Sequence, residues 1–337
     1  MACNGSDGCW GAGVDEPRIG LLGATSLVGE CLLPLLKKAR WRVTAFSRRA
    51  IEQADGGVEW RQLRSARHPD DGVRRKITGW ICVAPIWVLP DYLDVLEALG
   101  ARRIVALSST SRFSKQDSSD TAEQATARRL ADAEDRLQAW AEAKGVGWVI
   151  LRPTLIYGRG RDKNVCEIAR FIRRFGFFPL FGPAEGLRQP VHAEDLAAAC
   201  LAAMDAPVAA NRAYNLCGGE SLPYIEMVRR VFVTLNRRPR LLKVPLSGFR
   251  VVLAAMRLLP RYRHWSAAMA ERMNCDLVFD NTDAVRDLGF APRPFRLVAA
   301  DLETKRPAAP ATDRNDDSCL KSRRPRAASE SDRQHES

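Results

Sequence analysis

The stretch IGLLGATSLVGECLLPLL, Ile19–Leu36, decides how the rest of the chain is read. A short apolar run, Ile19-Gly20-Leu21-Leu22, meets Gly23, and a helical pattern starts near Leu27. Strand-to-helix turns that hold a pyrophosphate usually carry three spaced glycines. The first makes the turn, the second admits the phosphate, and the third lets helix and strand pack closely. Gly23 and Gly29 fit the first and third places, while Ser26 holds the second. A serine is small, and its hydroxyl can donate to a phosphate oxygen sitting at the positive end of the helix. The expected contacts are Gly23, Thr25, Ser26, Leu27 and Gly29. Two glycines at such a turn also occur as a purely structural device, so the loop needs support from elsewhere in the chain.

Outward from this loop, short apolar runs alternate with helical patterns. Strands are expected at Ile19–Leu22, Arg42–Phe46, Gly79–Val83, Arg103–Leu107 and Trp148–Leu151, and helices near Val28–Lys38, Leu89–Leu99 and Ala122–Lys144. Strands apolar on both faces and separated by helices predict an α/β, Rossmann-like doubly wound parallel sheet. The pattern changes after residue 158. There the reading is a helix followed by an aromatic loop over 164–182, a helix from about Ala193, and another strand at 213–219. The expected organisation is a disordered 1–16, a dinucleotide-binding domain over 17–158 to which segments near 188–217 return, a smaller, mostly helical C-terminal substrate domain over 159–303, and a disordered 304–337.

The end of the second strand selects among cofactors. An acid there holds the ribose hydroxyls of NAD, whereas arginine accommodates the additional phosphate of NADP. The chain offers Ser47, Arg48 and Arg49 and no acid, so NADP(H) is expected in preference to NAD(H). Ala84, just past the strand Gly79–Val83, is expected against the same cofactor.

Five stretches in fixed order then carry a resemblance: GATSLVG at 23–29, RRIVALSST at 102–110, residues 131–160 with WVILRPTLIYGRG, LRQPVHAEDLAAACLAAM at 187–204, and AYNLCGGESLPYIEMVRRVF at 213–232. Over about residues 18–300 the chain resembles an extended or atypical short-chain dehydrogenase/reductase of the NAD-dependent epimerase/dehydratase type. The resemblance implies NAD(P)-dependent oxidoreductase or epimerase (isomerase) chemistry on a nucleotide- or diphosphate-linked sugar. It implies Ser108 and Pro153 beside the cofactor, Thr110 as the hydroxyl facing substrate, and Thr154, Arg188 and His192 near substrate. His192 reads first as a structural histidine, and Asp195 as an acid at the start of the following helix. Catalysis in this family depends on a tyrosine with a lysine four residues later, and alignment puts Thr126 and Leu130 in those places. None of Tyr92, Tyr157, Tyr214, Tyr224 and Tyr262 has lysine four residues on. Lys115, just beyond Thr110, is the substitute acid the sequence offers. The alternative is a cofactor-binding protein without turnover, serving as a sensor or assembly subunit.

Composition narrows the classes. The 337 residues carry a net charge of +12 and nine cysteines without a CxxC pair, which points to reduced thiols, an anionic partner and no metal site. No run is long and apolar enough for a transmembrane helix, so a cytoplasmic protein is expected. Val244–Trp265 combines an apolar helical pattern with Arg250, Arg257, Arg261 and Arg263. That pattern suits either a core helix with solvated arginines or peripheral contact with an anionic membrane at its inner surface. Dedicated RNA-binding motifs are missing, and no nucleic-acid partner is expected.

Overall fold

The computed structural model describes residues 17–47, 57–62, 76–245 and 267–303. The segments expected to be disordered, 1–16 and 304–337, lie outside the described residues, as do Arg48, Arg49 and 246–266 of the basic helical pattern.

Six strands of the central sheet lie in the first half: β1 (Arg18–Leu22), β2 (Arg42–Ser47), β3 (Val58–Gln62), β4 (Gly79–Cys82), β5 (Arg103–Leu107) and β6 (Gly147–Pro153). With the strand Arg212–Leu216 they form one parallel sheet of seven, ordered Arg212–Leu216, β6, β5, β4, β1, β2, β3. The helices are α1 (Leu27–Lys38), α2 (Leu93–Ala98), α3 (Ser111–Ser114), α4 (Thr121–Lys144), α5 (Val165–Phe175), α6 (Ala193–Asp205) and α7 (Tyr224–Thr234), followed by shorter ones at Ala267–Asn274, Thr282–Leu288 and Ala299–Leu302. Alternation along the strands explains the two covered faces. Ile19, Leu21, Val43, Ala45, Ile81, Val105 and Val149 pack with α1 and α6. Leu22, Phe46, Trp80, Ile104, Ala106 and Ile150 pack with α2 and α4. A third cluster joins α5 and α7 through Phe171, Phe178, Phe181, Val228 and Phe232.

Two local features depart from the expectations, and a third strand joins those named above. The helix near Leu89–Leu99 begins as a 3-10 segment, Ile86–Tyr92, and becomes α-helical only at Leu93. Pro90 has no N–H for a regular helical bond there. Val58–Gln62 is a strand that completes the edge of the sheet beside β2. The expected aromatic loop after α5 is instead the buried strand Phe178–Phe181, paired in parallel with Leu241–Val244. Its partner lies far along the chain, so local pattern carries no trace of the pairing.

The sheet edge near the site is held by a buried carboxylate. The Asp120 side chain caps α4 by accepting from Ala122 N at 2.9 Å, and Gly145 closes the helix with φ +64°. In its middle, Glu134 is 0% exposed. It accepts from Ser108 Oγ at 2.5 Å and from Arg152 Nε at 3.0 Å, and it pairs with Arg112. One side chain thus joins the ends of β5 and β6 to α3 and α4. Removing one partner of such a buried pair typically costs about 3–5 kcal/mol. Glu134→Gln should therefore lower the denaturant midpoint by a corresponding amount, and an unchanged midpoint would show that the cluster adds no stability.

Candidate functional site

Strand order reverses between β1 and β4, where one connection runs to each side, and a ligand crevice is expected outside the carboxyl ends of the strands there. Gly23 occupies that turn with φ +85°, and a Cβ on it would lie 2.4 Å from Ala84 N. The β1–α1 turn and the segment after β4 therefore approach so closely that only glycine fits. Gly29 is closed in similarly, since its Cβ would lie 2.3 Å from Gly23 O. Ser26 is the N-cap of α1, its Oγ accepting from Gly29 N at 3.1 Å. The serine in the middle-glycine place thus starts the helix and keeps its hydroxyl hydrogen for another acceptor. Thr25 is exposed and Leu27 half-buried at the same helix end. Arg161 donates to the Thr25 carbonyl at 3.1 Å and pairs with Glu30, placing a guanidinium beside this turn. Ser47 ends β2 opposite Gln62. The loop's open helix end and close glycine contacts fit a dinucleotide pyrophosphate.

A second concavity, of about 470 Å³, opens where β5 and β6 end. Its wall includes Thr110, Lys115, Thr154 and Arg188, all expected from the sequence, together with Lys163, Asn164 and Arg272, which were not. Thr110 is 5% exposed and donates from Oγ1 to Pro153 O at 3.2 Å, leaving its oxygen able to accept. Thr154 donates to the Gln189 carbonyl. Lys115 lies 3.5 Å from Glu123. Arg188 is 5% exposed and donates to the carbonyls of Leu187 and Cys275 at 2.7 Å each, and to that of Arg272. Its guanidinium also lies 5.6 Å from the Tyr224 ring centre. Burial, followed by the nearby Arg272 charge, pulls its pKa below the usual arginine value. Nothing in the sequence around Lys163, Asn164 or Arg272 marks them for this wall. The turn of chain that brings these residues to one wall has no local signature.

Other expected residues sit elsewhere. Ser108 is spent on Glu134, one layer beneath the cavity. Pro153 is buried, and its carbonyl accepts from both Thr110 N and Thr110 Oγ1. His192 is not on the cavity wall but is the N-cap of α6, Nδ1 accepting from Glu194 N at 3.2 Å. That assigns its proton to Nε2, which faces Asp301 Oδ1 at 3.3 Å. Asp195 in the first turn accepts from Arg293 N and Nε at 3.0 and 2.9 Å. Tyr157 is fully buried between His192 and Phe295, with ring centres 5.1 and 4.9 Å away. Burial, reinforced by Asp301, pushes its hydroxyl up to about 12. At the two places of the usual dyad, Thr126 donates to Ala122 O of its own helix at 2.9 Å and Leu130 is buried. Neither supplies an acid or a cation.

Among the described residues, no group of three or more His, Cys, Asp or Glu is placed to hold a metal ion, and no helix is long and apolar enough to cross a membrane.

Sheet order and the β1–α1 turn together define a Rossmann-like fold. The model of the NAD dependent epimerase/dehydratase family matches residues 91–217 of the chain. A UDP-glucose 4-epimerase of Vibrio cholerae is 28% identical over 120 residues, which are 36% of this chain and 37% of that protein. The mitochondrial NADH dehydrogenase (ubiquinone) 1 alpha subcomplex subunit 9 of Arabidopsis thaliana is 25% identical over 157 residues, 44% of this chain and 39% of that protein. The chain thus spans under two fifths of the length of these curated relatives. Similar solved structures include a UDP-glucose 4-epimerase with UDP-glucose from Thermotoga maritima (TM-score 0.60, 14% identity, 85% of this chain and 96% of that one). Another is a UDP-glucuronic acid 4-epimerase from Bacillus cereus in complex with NAD (TM-score 0.63, 11% identity, 84% and 95%). At such identities the likeness is one of fold.

The His192 contact also sets a pH dependence. Burial works against the Asp301 charge, but donation from His192 and from the Val298 and Arg159 N–H groups outweighs it and holds the carboxyl below its usual range. A carboxyl lowered in the folded state adds stability that is full above its unfolded value, about 3.9, and lost as pH falls through the folded value. Asp301→Asn should therefore melt below the parent at pH 7, and the gap should narrow on acidification below about pH 4. A gap independent of pH would mean that shape rather than charge is lost.

Proposed function

We propose that the protein is an NADP(H)-preferring oxidoreductase or epimerase acting on a nucleotide- or diphosphate-linked sugar. In this reading residues 17–158 carry the cofactor and 159–303 the substrate. The observation that carries it is Arg188, a buried cation whose described hydrogen bonds go to backbone carbonyls, facing a cavity that Lys115, Lys163 and Arg272 also line. A diphosphate is the anion whose charge and reach suit several such donors at once. The sugar then lies toward Thr110 and Thr154 at the sheet edge. NADP(H), when bound, supplies or accepts the hydride at the sugar carbon. In the reducing direction the Lys115 ammonium gives its proton to the sugar oxygen, and the Thr110 oxygen accepts from a neighbouring hydroxyl and orients the ring. Lys115 is thus the non-standard group in place of the missing dyad. Ser47 at the end of β2 and Arg48 and Arg49 next in the sequence, with no acid among them, support the phosphorylated cofactor.

A second reading is a cofactor-binding subunit without turnover. It is favoured by Thr126 and Leu130 and by the similarity to a respiratory-complex subunit. A thermal-shift titration with NADPH, NADP, NADH and NAD tests what both readings share. Ligand at about 100 times its dissociation constant should stabilise the fold by about 2.7 kcal/mol, with the phosphorylated pair more effective at equal concentration. No shift with any of the four would remove both readings, and a larger shift with NAD(H) would reverse the cofactor preference.

Turnover separates the readings. Lys115→Met should lower kcat with a UDP-sugar by about 100-fold or more and leave the cofactor shift intact, as expected for loss of a general acid. An unaltered kcat would remove Lys115 from the chemistry.

A further inference from the structure

Two cations of the cavity wall come from distant parts of the chain. Lys115 follows α3, and Arg272 lies in the last turn of Ala267–Asn274. Both meet one carboxylate, Glu123, which is not itself on the wall: Lys115 Nζ lies 3.5 Å away and Arg272 is paired with the same oxygen. Glu123 is anchored from its own side. It stands in the first turn of α4, where the helix dipole favours an acid, and Ser118 Oγ donates to its second oxygen at 2.8 Å. Its side chain is 12% exposed. Without it, Lys115 and Arg272 would be like charges side by side, each with reason to swing toward solvent. Arg188 is tied to the same group through its bond to the Arg272 carbonyl.

We infer that Glu123 is a positioning residue that holds Arg272 beside Arg188 as a preformed seat for a diphosphate and fixes Lys115 next to that seat, toward the sugar. The inference rests on the diphosphate reading above and adds the residue that organises it. Glu123 does not touch the ligand. It reduces the side-chain ordering that binding would otherwise require, which is how preorganisation raises affinity.

Titration calorimetry on the full chain, with UDP as the probe, tests this. Glu123→Gln should weaken UDP binding by about tenfold, as should Arg272→Gln. The double variant should be no weaker than Arg272→Gln alone, because both substitutions disable one unit. Glu123→Asp should recover part of the loss. The cofactor-induced thermal shift should be the same in all of them, which separates a lost seat from a damaged fold. UDP binding by Glu123→Gln equal to or tighter than the parent overturns the inference, and so do losses that add in the double variant. Failure of the parent itself to bind UDP is a distinct result, which removes the diphosphate reading and this assignment together.

Discussion

A carboxylate shut away from water survives only when cations and hydrogen-bond donors replace its hydration, and Glu134 is such a group. Its partners come from three places, Ser108 past the end of β5, Arg112 in α3 and Arg152 near the end of β6, and it rides on α4 itself. These segments bear Thr110, Lys115 and Thr154 of the cavity wall. Thr110 stands two residues beyond Ser108, Lys115 three beyond Arg112, and Thr154 two beyond Arg152. Displacement of the carboxylate would shift all of them together. The positions of Thr110 and Thr154 are in this sense secondary to an ion cluster one layer below, which makes no contact with the cavity itself.

The same long helix supplies Glu123 to the cavity cations, while the places a tyrosine and lysine would occupy on it hold Thr126 and Leu130. The helix is thus retained as scaffold while its reactive pair is absent. Charge has instead gathered on the cavity lining, on Lys115, Lys163, Arg188 and Arg272. The lining offers several cations for an anion and, in Lys115, one candidate for proton transfer.

Much of the sheet was legible because its strands are apolar on both faces and are cut by glycine or polar turns, as at Leu22-Gly23. Gly23, Ser26 and Gly29 were legible for the same reason: a tight turn restricts residue type wherever it occurs. Phe178–Phe181 was read as a loop because four apolar residues beside a glycine have no period of their own, and their partner Leu241–Val244 lies far away in sequence. Thr110, Lys115, Thr154 and Arg188 were found by their places within recognisable stretches, and the fold brings them to one wall. Arg272, Lys163, Glu123 and Glu134 were missed because their roles arise from burial and from partners brought together only by folding. One arginine in a basic sequence looks like any other until its neighbours are known. His192 shows the reverse: it stands in a suggestive stretch, yet its two nitrogens serve a helix start and an aspartate.

Asp301 ends that last contact, and its position has a practical meaning for handling the chain. It accepts from the Arg159 and Val298 N–H groups at 3.2 and 3.1 Å as well as facing His192, and its own carbonyl accepts from Gly160 N at 2.9 Å. A short helical turn near the end of the described residues thus latches the segment that follows Tyr157 to the start of α6. A fragment that keeps this latch extends through Glu303, whose N–H closes that turn onto Ala299. A tag or fusion partner joined upstream of that point would cut the latch, whereas one joined downstream would leave it whole.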